Sequence, residues 1–238
     1  MIRRGVDIAV ATAVLVVAAP LLALAAVAIK LTSRGPVLYR QPRAGLHGHP
    51  FEVIKLRTMV EGAEFIGAGL AVDAGDPRIT RVGALLRRTS LDELPNLANV
   101  LRGEMSLIGP RPTLLPQVEL YDERQRRRLE VKPGITGWAQ VNGRAAVPWS
   151  ERIELDVHYV EHRSLRLDVL ILWRTLALLL AGGDLYHAGG GGFDLSGPAA
   201  DADQAPGEDA QAATTPASSC REETATSGSP PGGAAAPS

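Results

Sequence analysis

Three things are scarce in this sequence of 238 residues: cysteine, aromatic side chains and net charge. Its single cysteine, Cys220, cannot form an internal disulfide, so nothing indicates a disulfide-stapled secreted fold. Aromatic residues make up 4% of the chain, too few for a surface that stacks the bases of single-stranded nucleic acid. The formal net charge of −1 supplies no overall field that attracts nucleic acid. We therefore expect no nucleic-acid partner.

The charges that are present are unevenly distributed. Nearly all lysines and arginines lie in residues 1–174, whereas the chain beyond Gly182 is acidic with one basic residue, Arg221. A basic body is typical of proteins that meet phosphates or an anionic membrane surface. Residues 188–238 contain almost no large apolar side chains and cannot bury enough surface to offset their ordering entropy. We expect them to form a disordered tail.

An apolar run over residues 8–29 follows the basic N-terminus. As a helix it is about 33 Å long at about 1.5 Å per residue, roughly the thickness of one bilayer core. A signal peptide fits the basic start and the small residues around Leu24, and a single transmembrane helix fits the length. Both readings leave a proline near the middle of the run without a role.

That proline, Pro20, favours a third interpretation. It removes a backbone hydrogen bond and kinks a helix, and basic residues flank both ends of the apolar run. The positive-inside rule keeps both of those ends in the cytoplasm. We therefore predict that residues 1–34 form a re-entrant membrane helix broken at Pro20.

Residues 35–187 are predicted to form one domain on the cytoplasmic face. The class we expect is α+β, mainly helical, with a small β-hairpin or sheet. The last apolar stretch is too short to span a bilayer comfortably and carries arginines, so it is expected to be an interfacial or core helix. Strands are predicted at residues 37–40 and 51–55, and helices at residues 79–88, 92–101, 114–129 and 167–181.

Adjacent carboxylates at Asp92 and Glu93 permit two interpretations. Ser90 and Glu93 have the spacing of a capping box, in which Glu93 closes the first turn of a helix. Pro95 argues against this interpretation. With Ser90 as the cap, Pro95 lies deep enough in the helix for its missing N–H to be costly. With Asp92 as the cap, Pro95 falls in the first turn, where no N–H is needed.

The second interpretation is catalytic. Beside Arg87 and Arg88, a carboxylate at residue 92 should stay ionised because opposite charge lowers its pKa. An ionised Asp92 can attack an electrophilic phosphorus and form a covalent acyl phosphate. Glu93 can hold Mg²⁺, which takes one or two protein carboxylates together with substrate phosphates. Arginines then neutralise the charge on the transferred group.

Arg111 stands between Pro110 and Pro112. The two prolines restrict the backbone on either side of one guanidinium, which reduces its entropy of ordering. A planar fork held in this way suits bidentate contact with phosphate. A rigid turn with a solvated arginine is the alternative.

Residues 35–175, about 140 residues of the chain, contain four segments in a fixed order. Together they closely resemble the bacterial sugar transferase family, the small monotopic phosphoglycosyl transferases of the polyprenol phosphate pathway. The segments are residues 55–59 (KLRTM), 89–95 (TSLDELP), 105–112 (MSLIGPRP) and 132–138 (KPGITGW).

The resemblance implies a reaction and roles for particular residues. Asp92 matches the nucleophile that attacks the β-phosphate of a UDP-sugar and releases UMP, and Glu93 matches its Mg²⁺-associated partner. Arg87, Arg111 and Arg144 match basic positions around the substrate phosphates. Polyprenyl phosphate, expected to be undecaprenyl phosphate, then accepts the phosphosugar in the first membrane step of polysaccharide or glycoconjugate synthesis.

The resemblance also bears on location and on the membrane segment. Members of the family enter one leaflet of the bacterial plasma membrane through a helix broken at a proline, with the active site on the cytoplasmic face. In this chain Ala19 precedes Pro20, where well-known members have a hydroxyl residue. Membrane lipids are therefore expected partners.

Two other patterns suggest different chemistry. His158 and His162 have the spacing of the H-x-x-E-H string of zinc peptidases, but the candidate third ligand, Asp168, lies on the next predicted helix. A basic run at residues 124–128 fits either a solvated helix face or a patch for anionic lipid headgroups. A non-catalytic membrane scaffold is the main rival from another class, and it has no need of adjacent carboxylates beside arginines.

Overall fold

The computed structural model of the protein describes residues 2–66, 75–142 and 147–180. These residues form a mainly helical fold with two small two-stranded sheets, which confirms the predicted class. The predicted tail, residues 188–238, lies outside the described residues. The helices are α1 (Ile2–Thr32), α2 (Arg81–Arg88), α3 (Leu97–Arg102), α4 (Leu115–Glu119), α5 (Glu123–Arg126), α6 (Trp138–Asn142), α7 (Trp149–Glu161) and α8 (Leu165–Leu180), and the strands are β1 (Leu38–Ala44), β2 (Pro50–Leu56), β3 (Ser106–Ile108) and β4 (Gly134–Thr136).

The first sheet is a hairpin, and it confirms both predicted strands. β1 and β2 are antiparallel, with Leu38 opposite Leu56 and Ala44 opposite Pro50. His47 and Gly48 in the connection adopt positive φ values of 55° and 79°, as a tight reversal requires. The hairpin places the side chains of alternate residues on one face of the sheet.

The predicted helix at residues 79–88 is confirmed as α2, which begins two residues later. Thr80 stands before the first turn, and its hydroxyl accepts a hydrogen bond from the Gly83 backbone N–H at 2.9 Å. A Cβ at Gly83 would overlap the carbonyl group of Thr58, so only glycine lets α2 pack this closely on the segment after β2.

The predicted helix at residues 114–129 is wrong as a single element. The structure has α4, then α5, then a 3₁₀ turn at Arg127–Glu130. A new helix begins at α5 because the Asp122 carboxylate accepts a hydrogen bond from the Gln125 N–H at 2.7 Å. The Gln125 side chain in turn accepts one from the Asp122 N–H at 3.2 Å. This reciprocal cap favours a fresh start over a continued helix.

The second sheet was not predicted. β3 and β4 pair in parallel, with Ser106 opposite Gly134. Three-residue strands have too few positions to show a period-two pattern. A Cβ at Gly109, after β3, would overlap the carbonyl oxygen of Lys132, so glycine permits the close approach of the chain that leads to Arg111.

The N-terminal helix α1 is continuous in the structure, and Pro20 lies inside it, so the predicted break does not divide it in two. Its first turns are held by polar contacts. Arg3 Nε lies 2.7 Å from Asp168 Oδ2, and Arg4 Nη2 donates to the Leu101 carbonyl at 2.8 Å. The buried Asp7 carboxylate accepts hydrogen bonds from the Ser106 hydroxyl at 2.8 Å and the Leu107 N–H at 3.1 Å.

The other end of α1 packs on the same body. Ala25 and Ile29 are buried in an apolar cluster with Leu56 of β2 and Leu86 of α2. Ala11, near the N-terminal end, is buried in a second cluster that includes residues of α3 and β3. Both ends of α1 therefore contact the domain formed by the rest of the described chain.

Much of the surface of α1 and α8 is apolar and exposed. α1 is long and apolar enough to cross a membrane, and only 17% of its most apolar window is buried, unlike the core helix of a soluble protein. α8 confirms the helix predicted at residues 167–181, and it exposes Trp173 and Leu180 by 69% and 80%. Such contiguous apolar surface is typical of a region that meets a membrane or a partner.

Candidate active site

The two adjacent carboxylates lie on a 3₁₀ turn, Leu91–Asn96, that follows α2. Ser90 joins the two elements in a left-handed conformation with φ of 54°, which is uncommon for a residue other than glycine. Its backbone N–H donates to the Arg87 carbonyl at 3.0 Å. This reversal brings the end of α2 and the carboxylates together, and backbone strain of this kind is concentrated at functional sites.

Side-chain amides fasten the turn to the hairpin. The backbone N–H of Ile54 in β2 points out of the hairpin and donates to Asn96 Oδ1 at 3.1 Å and Asn99 Oδ1 at 3.3 Å. Both asparagines are buried. Because Lys55 follows Ile54, its side chain reaches the carboxylates of the turn.

Glu93 is 5% exposed and holds two cations. Its Oε1 lies 2.6 Å from Lys55 Nζ and 2.9 Å from Arg111 Nη2. Burial by itself raises the pKa of Glu93, but Arg111 and Lys55 outweigh it, so the pKa lies well below its usual range. Both capping interpretations are wrong, because Ser90 makes no side-chain cap and Asp92 lies inside the turn.

Asp92 is also 5% exposed, but its environment differs. Its Oδ1 is buried and has no hydrogen-bond partner among the described residues. Burial, followed by the neighbouring charge of Glu93, raises the pKa of Asp92 to about 6, although Lys55, Arg87 and Arg111 act in the opposite direction. The expected lowering of this pKa by arginines is therefore wrong. A pKa of about 6 still leaves the carboxylate mostly ionised at pH 7.

The arginines predicted for the site fall into three groups. Arg87 Nε donates to the Thr58 hydroxyl at 2.8 Å, and Arg111 contacts Glu93, so both are at the site. Arg88 is exposed and does not line the cavity described below. Arg144 lies outside the described residues.

A buried arginine holds the backbone at Arg111. Arg128, which is 6% exposed, donates from Nη2 to the Arg111 carbonyl at 3.0 Å. The same guanidinium lies 2.6 Å from Asp156 Oδ2. The Arg111 backbone is thus fixed both by its flanking prolines and by a buried ion pair.

A cavity of about 340 Å³ opens onto the carboxylates. Its volume falls in the lower part of the range of about 300–1,000 Å³ that ligand pockets occupy. Five cationic side chains, an aromatic ring and four carboxylates contribute to its wall. The polar and charged residues among its lining are Tyr39, Gln41, Arg43, Lys55, Arg57, Thr58, Glu61, Glu64, Arg87, Asp92, Glu93 and Arg111.

Sequence reasoning missed three cations of this site, Arg43, Lys55 and Arg57. Lys55 and Arg57 belong to one of the segments that resemble the family, but neither was predicted to be at the site, although a lysine in the apolar residues 53–56 is itself a signal. Burial lowers the pKa of Lys55, and the charge of Glu93 partly offsets this. Arg43, at the end of β1, also lines the cavity, and nothing in its local sequence indicated this.

The zinc site suggested by the sequence does not form among the described residues. The rings of His158 and His162 stack at 4.2 Å, and the residues described contain no group of three or more His, Cys, Asp or Glu side chains placed to hold a metal ion. A zinc site normally has three or four protein ligands. Arginines of the basic run form ion pairs with carboxylates of α7. Arg124 Nη2 lies 2.9 Å from Glu154 Oε2, and the buried Arg128 lies against Asp156.

The chemical capacity of the site follows from these contacts. Asp92, whose Oδ1 has no hydrogen-bond partner among the described residues, lines a cavity whose cations can bind phosphate. The neighbouring Glu93 balances two of those cations and keeps them in place. Such an arrangement suits a nucleophile that attacks a phosphorus atom, with fixed positive charge around the transferred group.

Comparisons with known proteins find sugar transferases. The chain is 43% identical over 180 residues to an uncharacterized sugar transferase, EpsL, of Bacillus subtilis, covering 76% of this chain and 88% of that protein. It is 43% identical over 195 residues to the UDP-glucose:undecaprenyl-phosphate glucose-1-phosphate transferase of Caulobacter vibrioides, covering 77% and 72%. It is also 43% identical to the undecaprenyl-phosphate glucose phosphotransferase of Komagataeibacter xylinus, of which it spans only 35%.

The family model for bacterial sugar transferases matches residues 1–182. That stretch contains every described element, including α1 and the cavity with Asp92 and Glu93. The chain is therefore an enzyme, a transferase, and belongs to the bacterial sugar transferase family.

Proposed function

We propose that the protein transfers a sugar 1-phosphate from a UDP-sugar to polyprenyl phosphate and releases UMP. The observation that carries this proposal is the buried carboxylate of Asp92, which lacks a hydrogen-bond partner at Oδ1 among the described residues and lines a cavity with five cations. The relatives named above act on UDP-glucose and undecaprenyl phosphate according to their names. An undecaprenyl carrier makes this the first membrane step of an exopolysaccharide or another glycoconjugate.

The first half-reaction is an attack by Asp92. A carboxylate oxygen forms a bond to the β-phosphorus of the UDP-sugar, while the bond from that phosphorus to the oxygen bridging the α-phosphate breaks. UMP leaves with the bonding electron pair, and the sugar phosphate stays on Asp92 as an acyl phosphate. Lys55, Arg87 and Arg111, which lower the pKa of Asp92, also offset the charge on the phosphoryl oxygens.

The second half-reaction restores the enzyme. A phosphate oxygen of the polyprenyl carrier attacks the same phosphorus, and the bond to Asp92 breaks. The carboxylate is regenerated, and the lipid carries a diphosphate-linked sugar. Arg144, outside the described residues, is proposed from its motif to join the cations that bind these phosphates. The exposed apolar side chains of α1 and α8 offer a surface for the hydrocarbon chain of the carrier and for membrane lipids.

Mg²⁺ is the proposed cofactor, and Glu93 is its proposed ligand. Glu93 Oε2 makes one long contact, 3.4 Å to Arg111 Nη1, so it retains lone pairs that can bind a hard cation. One or two carboxylates suffice for Mg²⁺ when substrate phosphates complete its shell, so this donor set fits. The bound ion would supply positive charge to the diphosphate of the donor.

A monotopic position with the active site on the cytoplasmic face is proposed for the whole chain. The contacts of both ends of α1 with the same body support it, because a spanning helix would carry Arg3 and Asp7 away from their partners Asp168 and Ser106. To test it, Ile2→Cys and Thr32→Cys are made separately in a Cys220→Ser background and treated in intact cells with a membrane-impermeant thiol reagent. Both should react only after the membrane is opened. Labelling of Ile2→Cys alone from outside would indicate a spanning helix.

The reaction is tested with the purified full chain, Mg²⁺, undecaprenyl phosphate and a panel of UDP-sugars that includes UDP-glucose and UDP-N-acetylgalactosamine. We expect UMP release from at least one donor. Without the acceptor, a donor labelled in its sugar should leave the label on the protein at Asp92, and added acceptor should remove it. UMP release that strictly requires acceptor and leaves no label on Asp92 would contradict the covalent intermediate. No UMP release from any donor would overturn the function.

A further inference from the structure

The cavity contains a second polar group that the phosphoryl chemistry does not use. Tyr39 of β1 and Glu64 of the 3₁₀ turn Ala63–Phe65 both line it. Burial, followed by the charge of the nearby Glu64 carboxylate, raises the pKa of Tyr39 to about 12. Tyr39 therefore remains a neutral phenol, able to donate and to accept hydrogen bonds.

The hairpin register places this pair beside the reaction centre. Tyr39 lies directly opposite Lys55, the residue whose Nζ contacts Glu93 at 2.6 Å. Gln41 and Arg43 follow Tyr39 at alternate positions of β1, so all three share its cavity face. Gln41 Oε1 accepts from Arg43 Nη2 at 2.6 Å, which fixes the Gln41 amide next to the pair.

A buried arginine holds the turn that carries Glu64. Arg78, which is 7% exposed, donates from Nη1 to the carbonyls of Ala63 at 2.8 Å and Ile66 at 2.7 Å, on either side of Glu64. Asp76 pairs with the same guanidinium. Fixing an otherwise exposed turn in this way orients its carboxylate before any ligand binds, which reduces the entropy lost on binding.

The charge of this pair excludes phosphate and suits hydroxyl groups. Among the described residues Glu64 forms no ion pair, unlike Glu93 with Lys55 and Arg111, so its charge repels the diphosphate of the donor and favours an uncharged group beside it. A carboxylate with a fixed tyrosine presents acceptors for sugar O–H groups and one flat apolar ring face. Both the hexose and the ribose of a UDP-sugar have such hydroxyls.

The position of the pair distinguishes the two sugars. The hexose is attached to the phosphorus that Asp92 attacks, whereas the ribose is one phosphate further away. Because Tyr39 is opposite Lys55, whose Nζ contacts the carboxylate next to Asp92, we expect the hexose rather than the ribose to reach Tyr39 and Glu64. We propose that Tyr39 and Glu64 bind hydroxyl groups of the donor hexose and so determine which sugar is transferred, an inference that rests on the proposed function.

The test measures UMP release by the full chain from its best UDP-hexose donor and from the monodeoxy analogues of that donor. Tyr39→Phe and Glu64→Gln keep the size of each side chain, and Glu52→Gln, at an exposed position of β2 that does not line the cavity, is the matched control. Each cavity variant should lower kcat/KM for the parent donor about 10- to 100-fold, since each removes hydrogen bonds to a hydroxyl. For the analogue that lacks the bound hydroxyl, wild type and variant should differ less than about twofold. Inhibition by UMP should not change.

Each result of this experiment leads to a different conclusion about the Tyr39 and Glu64 pair. Loss of discrimination at one hydroxyl, with unchanged UMP inhibition and a control like wild type, supports the inference. An equal decrease for every analogue, or a matching change in UMP inhibition, overturns it. The pair would then contact the ribose or have a structural role. Unchanged kinetics in both variants also overturn it. If wild type releases no UMP, the proposed function itself fails, and that result is visible before any variant is measured. Thermal unfolding of each variant identifies one that has simply lost its fold.

Discussion

Two clusters of cationic side chains and carboxylates both contact Arg111, and they differ in the size of the cavity beside them. In the first, Asp92 and Glu93 border a cavity of about 340 Å³. In the second, Arg128 and Asp156 are 6% and 3% exposed, and the cavity beside Arg128 is about 10 Å³, near the lower limit for one water molecule. The residue types are alike, but only the first cluster has room for a substrate.

The clusters meet at Arg111, which links their roles. Its side chain contacts Glu93, and its carbonyl accepts a hydrogen bond from Arg128 at 3.0 Å. Tyr121 extends the second cluster, because its hydroxyl binds Arg128 and lies 3.1 Å from the Thr113 hydroxyl. In the proposed function the first cluster supplies the chemistry, and the second holds the backbone of Arg111, one of the cations of the first. Variants should separate activity from stability along this line.

Asp92→Asn should cause the largest loss of activity, and it should not lower the free energy of unfolding. We expect UMP release to fall by at least about 10³-fold, because an amide cannot form the acyl phosphate. The pKa of Asp92 rises from 3.8 to about 6 on folding, so its ionised form at pH 7 weakens the folded state by about 3 kcal/mol. Removing the charge should keep or raise the free energy of unfolding, measured by urea denaturation.

The sign of this stability effect is set by pH. The penalty develops as pH rises from about 4 to about 6 and is absent below both pKa values, so wild type and Asp92→Asn should converge near pH 3. Asp122→Asn, which keeps its capping ability outside the cavity, is the control for activity. Residual activity above a few per cent in Asp92→Asn would contradict the role of Asp92 as nucleophile.

Arg128→Met should have the opposite profile. It leaves the buried Asp156 without its partner, so the free energy of unfolding should fall by about 3–5 kcal/mol in urea denaturation. Replacing both residues, as Arg128→Met with Asp156→Leu, should recover most of this loss, because no buried charge then remains. Arg124→Met, in the same basic run but exposed, should leave stability unchanged. A stability of Arg128→Met equal to that of wild type would remove the contrast between the two clusters.

The sequence predicted the parts of this comparison that depend on local signals. The hairpin follows from alternating strands around a turn, and α2 follows from its periodicity and its Thr80 cap. Asp92 and Arg111 were found because adjacent carboxylates and a proline bracket are visible in the chain. The zinc and capping patterns were equally visible and failed, because a local pattern does not contain its distant partners.

The parts that could not be predicted depend on residues far apart in the chain. Glu93 is not a cap because Lys55 and Arg111, 38 and 18 positions away, bind its carboxylate. Arg128 stands in a run of arginines that reads as solvated, yet it is buried because Asp156 lies across from it on α7. The pKa of Asp92 was misjudged because burial, which the sequence does not reveal, outweighs its arginine neighbours.

The smallest expected effect is a shift in the pH profile of activity, which should distinguish two arginines that are neighbours in the chain, Arg87 and Arg88. A pKa of about 6 for Asp92 predicts that kcat/KM rises about tenfold between pH 5 and pH 7, as the fraction of ionised nucleophile increases. Arg87 lines the cavity and lowers that pKa, so Arg87→Gln should move the inflection to higher pH. Arg88 is exposed and outside the cavity, so Arg88→Gln should leave the inflection where it is in wild type. The measurement is the pH profile of UMP release at low donor concentration, with the free-enzyme inflection compared among the three proteins. Equal shifts in both variants would indicate a general effect of net charge, and an inflection below pH 5 in wild type would show that the arginines outweigh burial after all.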